Sequence, residues 1–258
     1  MTKALKKGYV FLVFAFLYAP ILILMLFSFN ASKSRAVWGG FTLKWYAELF
    51  KDASIMNALF NTLSLAVLSA VIATVVGTAA ALGMHFMKRR PKALLMNITY
   101  LPVMNPDIVT GVSLMLLFMA FNMPMGYLTL LLAHITFNIP YVILSVQPKL
   151  TQLNPHLFEA AEDLGAGGFY SFFRVILPEI MPGIVTGLLL AVTLSIDDFV
   201  VSFFTAGAGT TTLSVQIYAM ARRGVSPTIN ALSTLLFVSV LTLLIIVNMR
   251  SKKEEAEN

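Results

Sequence analysis

Residues 59–86 read LFNTLSLAVLSAVIATVVGTAAALGMHF, and this stretch contains no Asp, Glu, Lys or Arg. A helix rises about 1.5 Å per residue, so about 20 apolar residues cross the roughly 30 Å hydrocarbon core of a bilayer. The stretch is long enough to span that core as a helix, which satisfies its own backbone hydrogen bonds in lipid. We therefore predict an all-α integral membrane protein.

The composition of the whole chain supports the same fold class. Of the 258 residues, 58% are hydrophobic and 12% are charged, and the mean hydropathy is +0.83. One soluble core could not cover that much apolar surface. Cysteine is absent, which excludes disulfides and thiolate metal or redox chemistry. The net charge of +6 lies in short clusters between apolar runs, a pattern of membrane topology rather than of nucleic-acid binding.

Five further apolar runs flank the first one, and each is long enough to cross the membrane. The six predicted transmembrane helices are 9–29, 59–86, 94–121, 125–146, 181–204 and 229–249. The first run follows Lys3, Lys6 and Lys7 and is too long for the apolar part of a cleaved signal, so we expect a retained anchor. With both termini in the cytoplasm, twelve Lys and Arg residues lie inside and six outside. We predict that orientation and a single domain, 1–258.

The longest predicted cytoplasmic segment, 149–179, has the pattern of two short helices joined at a glycine. Asn154-Pro155 is typical of a helix start, and Gly165 can end that helix. A second apolar and aromatic stretch follows, and Pro178 is expected to close the unit. The sequence therefore predicts a compact cytoplasmic knob.

This segment also carries an extended motif. Glu159-Ala160-Ala161 is followed after three residues by Gly165, and after nine more by VILP (175–178). The pattern resembles the EAA motif of binding-protein-dependent ABC importer permeases, EAA-x3-G-x9-I-x-L-P, with valine in the isoleucine position. The resemblance implies a type I ABC importer transmembrane domain whose knob seats in an ATPase. The alternative is an ordinary interfacial helix–turn–helix.

The resemblance implies a role in ATPase coupling for each residue that matches the motif. Glu159 offers a carboxylate to a basic partner, and the small Ala160 and Ala161 allow close approach. Gly165 supplies the sharp turn, and Pro178 ends the motif.

Beyond the motif, the chain resembles the PotC-type permease subunits of spermidine/putrescine importers over nearly its whole length. The segments that carry this resemblance are YAPI (18–21), SFN (28–30), GFT (40–42), WY (45–46), PDIV (106–109), HITF (134–137), LSIDD (194–198), GVSP (224–227) and NAL (230–232). The family implies a multi-pass protein of the bacterial inner membrane. It also implies three partners: a second, PotB-like permease, a PotA-like ATPase dimer and a periplasmic, PotD-like polyamine-binding protein. No Walker A sequence occurs in this chain, so we expect a non-catalytic subunit without a cofactor, with ATP bound by its partner.

Three carboxylates lie inside the predicted spans, at Asp107, Asp197 and Asp198. A charge at bilayer depth costs about 2.5–3.5 kcal/mol on insertion scales, and the spans contain no Lys or Arg to pair with it. An incoming polycation could supply the missing charge. We therefore predict a substrate path lined by these carboxylates, by Ser195 on the same helical face as Asp198, and by Trp45 of the outer loop.

Each of these residues also has a structural interpretation. Asp107 could open a restarted helix after Asn105-Pro106, with Asn105 as its N-cap. The Asp197-Asp198 pair could be kept neutral by burial and bonded to a neighbouring helix. Trp45 could be an anchor at the headgroup level. The small residues Gly77, Ala79, Ala80, Ala81 and Gly83 are most simply a helix-packing face.

Other functions remain open at this point. The same scaffold could import ferric iron, thiosulfate or a sugar. An intramembrane enzyme could use the aspartates as acid–base groups, but the chain offers no nucleophile, and its three histidines lack metal-ligand spacing. A passive channel is the third possibility. Neither an enzyme nor a channel accounts for the EAA-like segment.

Overall fold

The structure, a computed structural model, describes residues 3–33, 37–154, 161, 163, 165–224, 226–239 and 241–242. These residues form helices and connecting turns, with one isolated bridge between Asn30 and Phe41. The helices are α1 (Lys3–Ser28), α2 (Lys44–Lys51), α3 (Ala53–His85), α4 (Arg89–Met104), α5 (Asp107–Ala120), α6 (Tyr127–Gln152), α7 (Gly168–Asp197), α8 (Val200–Thr205), α9 (Leu213–Arg223) and α10 (Pro227–Ser239). The chain divides into two compact units, Met1–Met56 with Ile217–Asn258, and Asn57–Gln216.

The predicted all-helical membrane fold is confirmed. Within the described residues, α1, α3, α6 and α7 are each long and apolar enough to cross a membrane. They correspond to the first, second, fourth and fifth predicted spans. The third, 94–121, is a pair of helices, and of the sixth, 229–249, residues 240 and 243–249 lie outside the described part. The count of six therefore stays a prediction.

The third predicted span, 94–121, is broken into two helices, in agreement with the interpretation that Asp107 opens a restarted helix. The axes of α4 and α5 differ by 106°. Asn105 ends α4 with an extended backbone (φ −77°, ψ 145°), because a residue before proline disfavours the helical region. Pro106, not Asn105, occupies the N-cap position of α5, and Asp107 is the first helical residue.

The second span begins at Ala53, earlier than the predicted residue 59, because Asp52 caps it. The Asp52 carboxylate accepts the backbone N–H groups of Ser54 at 2.9 Å and of Ile55 at 3.2 Å. Such a cap satisfies donors that a helix start leaves without partners. It extends α3 to 33 residues.

Helix α6 forms the centre of the unit 57–216 and contacts α3 and α7 through glycines. A Cβ added at Gly77 of α3 would lie 2.8 Å from Val142 Cβ, and one at Gly187 of α7 would lie 3.1 Å from Val142 Cα. Val142 is fully buried. The predicted packing role of the small-residue series is thus confirmed at Gly77, whereas Gly83 has no atom within 4 Å of the corresponding position.

This difference makes two glycines of one helix a matched pair. We expect Gly77→Ala to destabilise the protein by about 1–3 kcal/mol, because the added methyl group meets the rigid part of Val142. Gly83→Ala should leave stability unchanged or raise it by up to about 1 kcal/mol through helix propensity. Thermal unfolding of the two variants in detergent measures the difference. Equal melting temperatures would contradict the close α3–α6 contact.

Candidate functional site

The three predicted intramembrane carboxylates line one pocket of the unit 57–216. Its volume is about 270 Å³. The lining residues are Asp107, Phe137, Thr193, Leu194, Asp197, Asp198, Phe199 and Val200. Asp107 and Asp197 are 90 positions apart in the sequence, so the fold brings them to a common surface. The lining combines apolar walls with acidic groups and contains no basic side chain.

Two helix breaks bring the carboxylates together. Asp107 opens α5, Asp197 is the last residue of α7, and Asp198 lies in the two-residue break before α8. Helices α5 and α8 pack closely, since a Cβ at Gly111 would lie 3.2 Å from Phe204 and 3.4 Å from the Val200 carbonyl. Interrupted helices inside membranes are tolerated where they line a cavity, and their ends supply polar groups for a bound solute.

Asp198 caps the restarted helix. Its Oδ1 accepts the Val201 N–H at 3.1 Å and its Oδ2 accepts the Ser202 N–H at 2.7 Å, and the side chain is only 6% exposed. Both oxygens act as acceptors, so the hydrogen-bond donors to the carboxylate are N–H groups of a helix start. This arrangement differs from the predicted placement of Ser195 and Asp198 on one helical face, which requires an unbroken helix.

Asp107 and Asp197 have a different environment. Both carboxylates are exposed, and neither makes a hydrogen bond or an ion pair with another residue in the part of the chain that the structure describes. They retain their full acceptor capacity towards the pocket. The pocket therefore contains one carboxylate that caps a helix and two that have no partner among the described residues.

His134 is a pocket neighbour that sequence reasoning missed. It lies on α6, is fully buried, and places Nε2 3.1 Å from Ser202 Oγ and 3.5 Å from Asp198 Oδ2. The presence of a histidine within an apolar, lipid-spanning run could have indicated a polar partner inside the protein. Nothing in the sequence shows which carboxylate that partner is.

Ser195 is buried and joins three helices instead of lining the pocket. Its hydroxyl accepts the Asn138 amide of α6 at 2.8 Å and lies 3.1 Å from Ser69 Oγ of α3. It is 1% exposed. Polar bonds of this kind hold transmembrane helices together.

Trp45 belongs to the other unit, where it organises the outer loop. Its indole N–H donates to the Asn30 carbonyl at 2.7 Å, and only 4% of the residue is exposed. The Asn30 side chain in turn accepts the Gly39 N–H at 2.7 Å and donates to the Val37 carbonyl at 2.9 Å. Trp38 of the same loop is 55% exposed. The structure thus gives Trp45 a role in the loop itself, and its place in a substrate path stays a prediction.

The turn of the predicted cytoplasmic knob has a defined geometry. Glu159 and Ala160 lie outside the described residues, whereas Ala161 is described and helical. The Ala166 N–H donates to the Ala161 carbonyl at 3.0 Å, and Gly165 has φ +85°. These are features of a Schellman helix end with glycine in the left-handed position. The expected sharp turn at Gly165 is therefore present.

Pro178 does not close the knob as expected, because α7 continues through it to Asp197. A π-helical segment, Phe172–Ile176, precedes the proline, and the Leu177 N–H donates to the Phe172 carbonyl. Pro178 then falls in the first turn of the following α-helical register, where a missing N–H is tolerated. One unbroken helix therefore connects the knob to the fifth span.

The knob also has a concave surface, whose cavity has a volume of about 530 Å³. Its lining residues are Ala161, Gly165, Ala166, Gly167, Tyr170 and Val175. Most of them are small, so the backbone is accessible at this surface.

Comparison with known proteins identifies a family and several relatives. Residues 73–252 match the family described as binding-protein-dependent transport system inner membrane component. The chain is 40% identical over 243 residues to the spermidine/putrescine transport system permease protein PotC of Escherichia coli K12, covering 94% of this chain and 92% of the relative. It is 42% identical over 234 residues to the putrescine transport system permease protein PotI of the same organism, covering 88% and 83%.

Solved structures support the fold. The structure is similar to a bacterial ABC transporter involved in the import of the acidic polysaccharide alginate, with a TM-score of 0.71 and 12% identity, covering 96% of this chain and 95% of that one. A bacterial alginate ABC transporter in complex with its pentasaccharide-bound periplasmic protein gives a TM-score of 0.69 at 19% identity, covering 95% and 90%. At these identities the likeness concerns the fold alone.

Proposed function

This chain belongs to the binding-protein-dependent transport system inner membrane components, the permease subunits of ABC importers, and we propose that it forms half of a translocation path for a polyamine. As a permease component it is a transport subunit rather than an enzyme. Among its relatives, PotC and PotI are named for spermidine and putrescine transport.

The single observation that carries the solute class is the acidic pocket. A polyamine is a flexible apolar chain with ammonium groups at intervals, and the pocket offers carboxylates set among Phe137, Leu194 and other apolar residues. Thiosulfate is repelled by such a lining, and a neutral sugar gives no reason for its charge. Ferric iron is also a cation, but the relatives PotC and PotI are named for spermidine and putrescine transport. A solute with several ammonium groups matches a lining with several carboxylates.

Energy coupling follows from the same proposal. The partners are a PotB-like permease, a PotA-like ATPase dimer that binds and hydrolyses ATP, and a periplasmic PotD-like protein that delivers the polyamine. ATP-driven closure of the ATPases moves the knob, with Glu159, Ala160 and Ala161 at the contact. The unbroken helix from Gly168 to Asp197 supports this role, since it can carry a displacement from the knob to the pocket. The path then alternates between outward-open and inward-open states.

The proposed topology places both termini and the knob in the cytoplasm of a bacterial cell. We expect single cysteines at Arg89 and Asp163 to be protected from a membrane-impermeant maleimide in intact cells, and cysteines at Trp38 and Thr210 to be labelled. The chain has no cysteine of its own, so each signal reports one site. Permeabilised cells provide the control. Labelling at Asp163 from outside would overturn this orientation.

The function is tested by uptake of labelled spermidine into proteoliposomes that contain the complete complex. We expect uptake that requires both ATP and the polyamine-loaded binding protein, with no uptake when a non-hydrolysable nucleotide replaces ATP. ATP-driven uptake of an unrelated solute but of no polyamine would refute the solute assignment and retain the importer.

A further inference from the structure

His134 is fully buried on α6, and its imidazole contacts the pocket carboxylate Asp198. Its Nε2 lies 3.5 Å from Asp198 Oδ2 and 3.1 Å from Ser202 Oγ. Ser202 also donates its backbone N–H to Oδ2 at 2.7 Å. Asp198, Ser202 and His134 therefore form a closed cluster that joins α6 to the start of α8.

The two carboxylate oxygens of Asp198 have different partners in this cluster. Oδ2 receives the Ser202 N–H and is the oxygen that contacts the imidazole. Among the described residues, Oδ1 receives the Val201 N–H at 3.1 Å and no other hydrogen bond. A carboxylate oxygen can accept two hydrogen bonds. Oδ1 thus keeps acceptor capacity for a donor in the pocket, provided that the carboxylate does not rotate.

We infer that His134 is a positioning residue of the proposed polyamine pocket, which fixes the Asp198 carboxylate so that Oδ1 is presented to a solute ammonium group. The inference rests on the proposed function. Helix α6 also supplies Phe137 to the pocket lining, so movement of α6 relative to α8 changes the wall and the carboxylate together. Supporting groups that lock a side chain in one orientation are what a preorganised binding site needs.

Asn138 provides an internal control for a purely structural role. It lies one turn further along α6, is fully buried like His134, and bonds to Ser195 and Ser69 rather than to Asp198. Its removal deletes buried hydrogen bonds between helices without touching the carboxylate.

The test compares His134→Gln with His134→Asn in the complete complex. A glutamine amide nitrogen reaches the position of Nε2, whereas an asparagine amide reaches only that of Nδ1. We expect His134→Asn to lower the number of spermidine molecules taken up per ATP hydrolysed by about tenfold, because it removes both the hydrogen bond to Ser202 Oγ and the contact with Asp198 Oδ2 that hold the carboxylate in place. His134→Gln should retain most of the wild-type ratio. Asn138→Ala should lower thermal stability and leave the ratio unchanged.

A second comparison separates positioning from general damage. In an Asp198→Asn background, His134→Asn should cause little further loss, because the two residues act through one contact. Equal ratios for His134→Gln and His134→Asn, or the same loss for Asn138→Ala, would overturn the positioning role. Absence of any ATP-driven spermidine uptake by the unaltered complex would instead overturn the proposed function, and this inference with it.

Discussion

Spermidine uptake is expected to fall at least tenfold when Asp197 is replaced by Asn, and to be lost when Asp107, Asp197 and Asp198 are all replaced. Asparagine keeps the shape of each side chain and deletes its charge. The carboxylates of Asp107 and Asp197 have no partner among the described residues, so under the proposed function the solute cation supplies their counter-charge. An ion pair in a partly desolvated pocket contributes more than the roughly 0–1 kcal/mol of an exposed pair. The measurement is ATP-driven uptake of labelled spermidine into proteoliposomes.

The adjacent residue Asp198 supplies the matched control, because its carboxylate accepts two backbone N–H groups and that of Asp197 accepts none among the described residues. An asparagine at 198 has one acceptor oxygen for the two backbone N–H groups that now bond to the carboxylate. We therefore expect Asp198→Asn to lower both uptake and stability, the latter by about 1 kcal/mol, because one of the two N–H groups loses its acceptor. Asp197→Asn should lower uptake at unchanged thermal stability.

The outcomes separate the two roles. Wild-type uptake by the triple variant would refute electrostatic recognition in the membrane and leave selectivity to the binding protein. Equal stability of the two single variants would contradict the cap at Asp198.

Hydropathy predicts four of the six proposed spans, which the structure shows as α1, α3, α6 and α7, because a bilayer needs about 20 apolar residues in a row whatever the fold. Breaks within spans are less visible. Pro106 indicates the first break, since proline restricts its predecessor, although the sequence does not show that the bend reaches 106°. The second break, after Asp197, involves no proline or glycine. It depends on Asp198 capping α8, and an aspartate in an apolar run is equally compatible with a continuous helix.

The site was predictable in its residue types but not in its geometry. Charges within apolar runs are conspicuous, which is why Asp107, Asp197 and Asp198 could be selected from the sequence. Their meeting in one pocket depends on the close packing of α5 on α8, and sequence spacing does not contain that contact. The same limit applies to His134, whose neighbour is 64 positions away at Asp198. Ser195 shows the opposite case, since a serine beside acidic residues can equally be a buried link between helices.

The second large effect is expected at the turn of the knob. Gly165→Val should uncouple ATP hydrolysis from spermidine uptake while the complex still assembles. Gly165 has φ +85°, a region that is strongly disfavoured for β-branched residues. The strain costs about 1–2 kcal/mol or more, enough to displace the helix end that precedes α7. The measurement is the ratio of uptake to ATP hydrolysis in the same proteoliposomes.

Gly167→Val is the control that isolates the backbone from the side chain. Both glycines line the concave surface of the knob, and a Cβ at either position would meet no atom within 4 Å. Gly167 has φ −70° and ψ 152°, an extended conformation that valine adopts readily. A loss of coupling at Gly165 alone would therefore arise from the left-handed turn. Equal losses at both positions would show that the bulk of the side chain at the ATPase contact is responsible. Normal coupling in Gly165→Val would show that the knob does not need this turn to transmit the motion of the ATPase to α7.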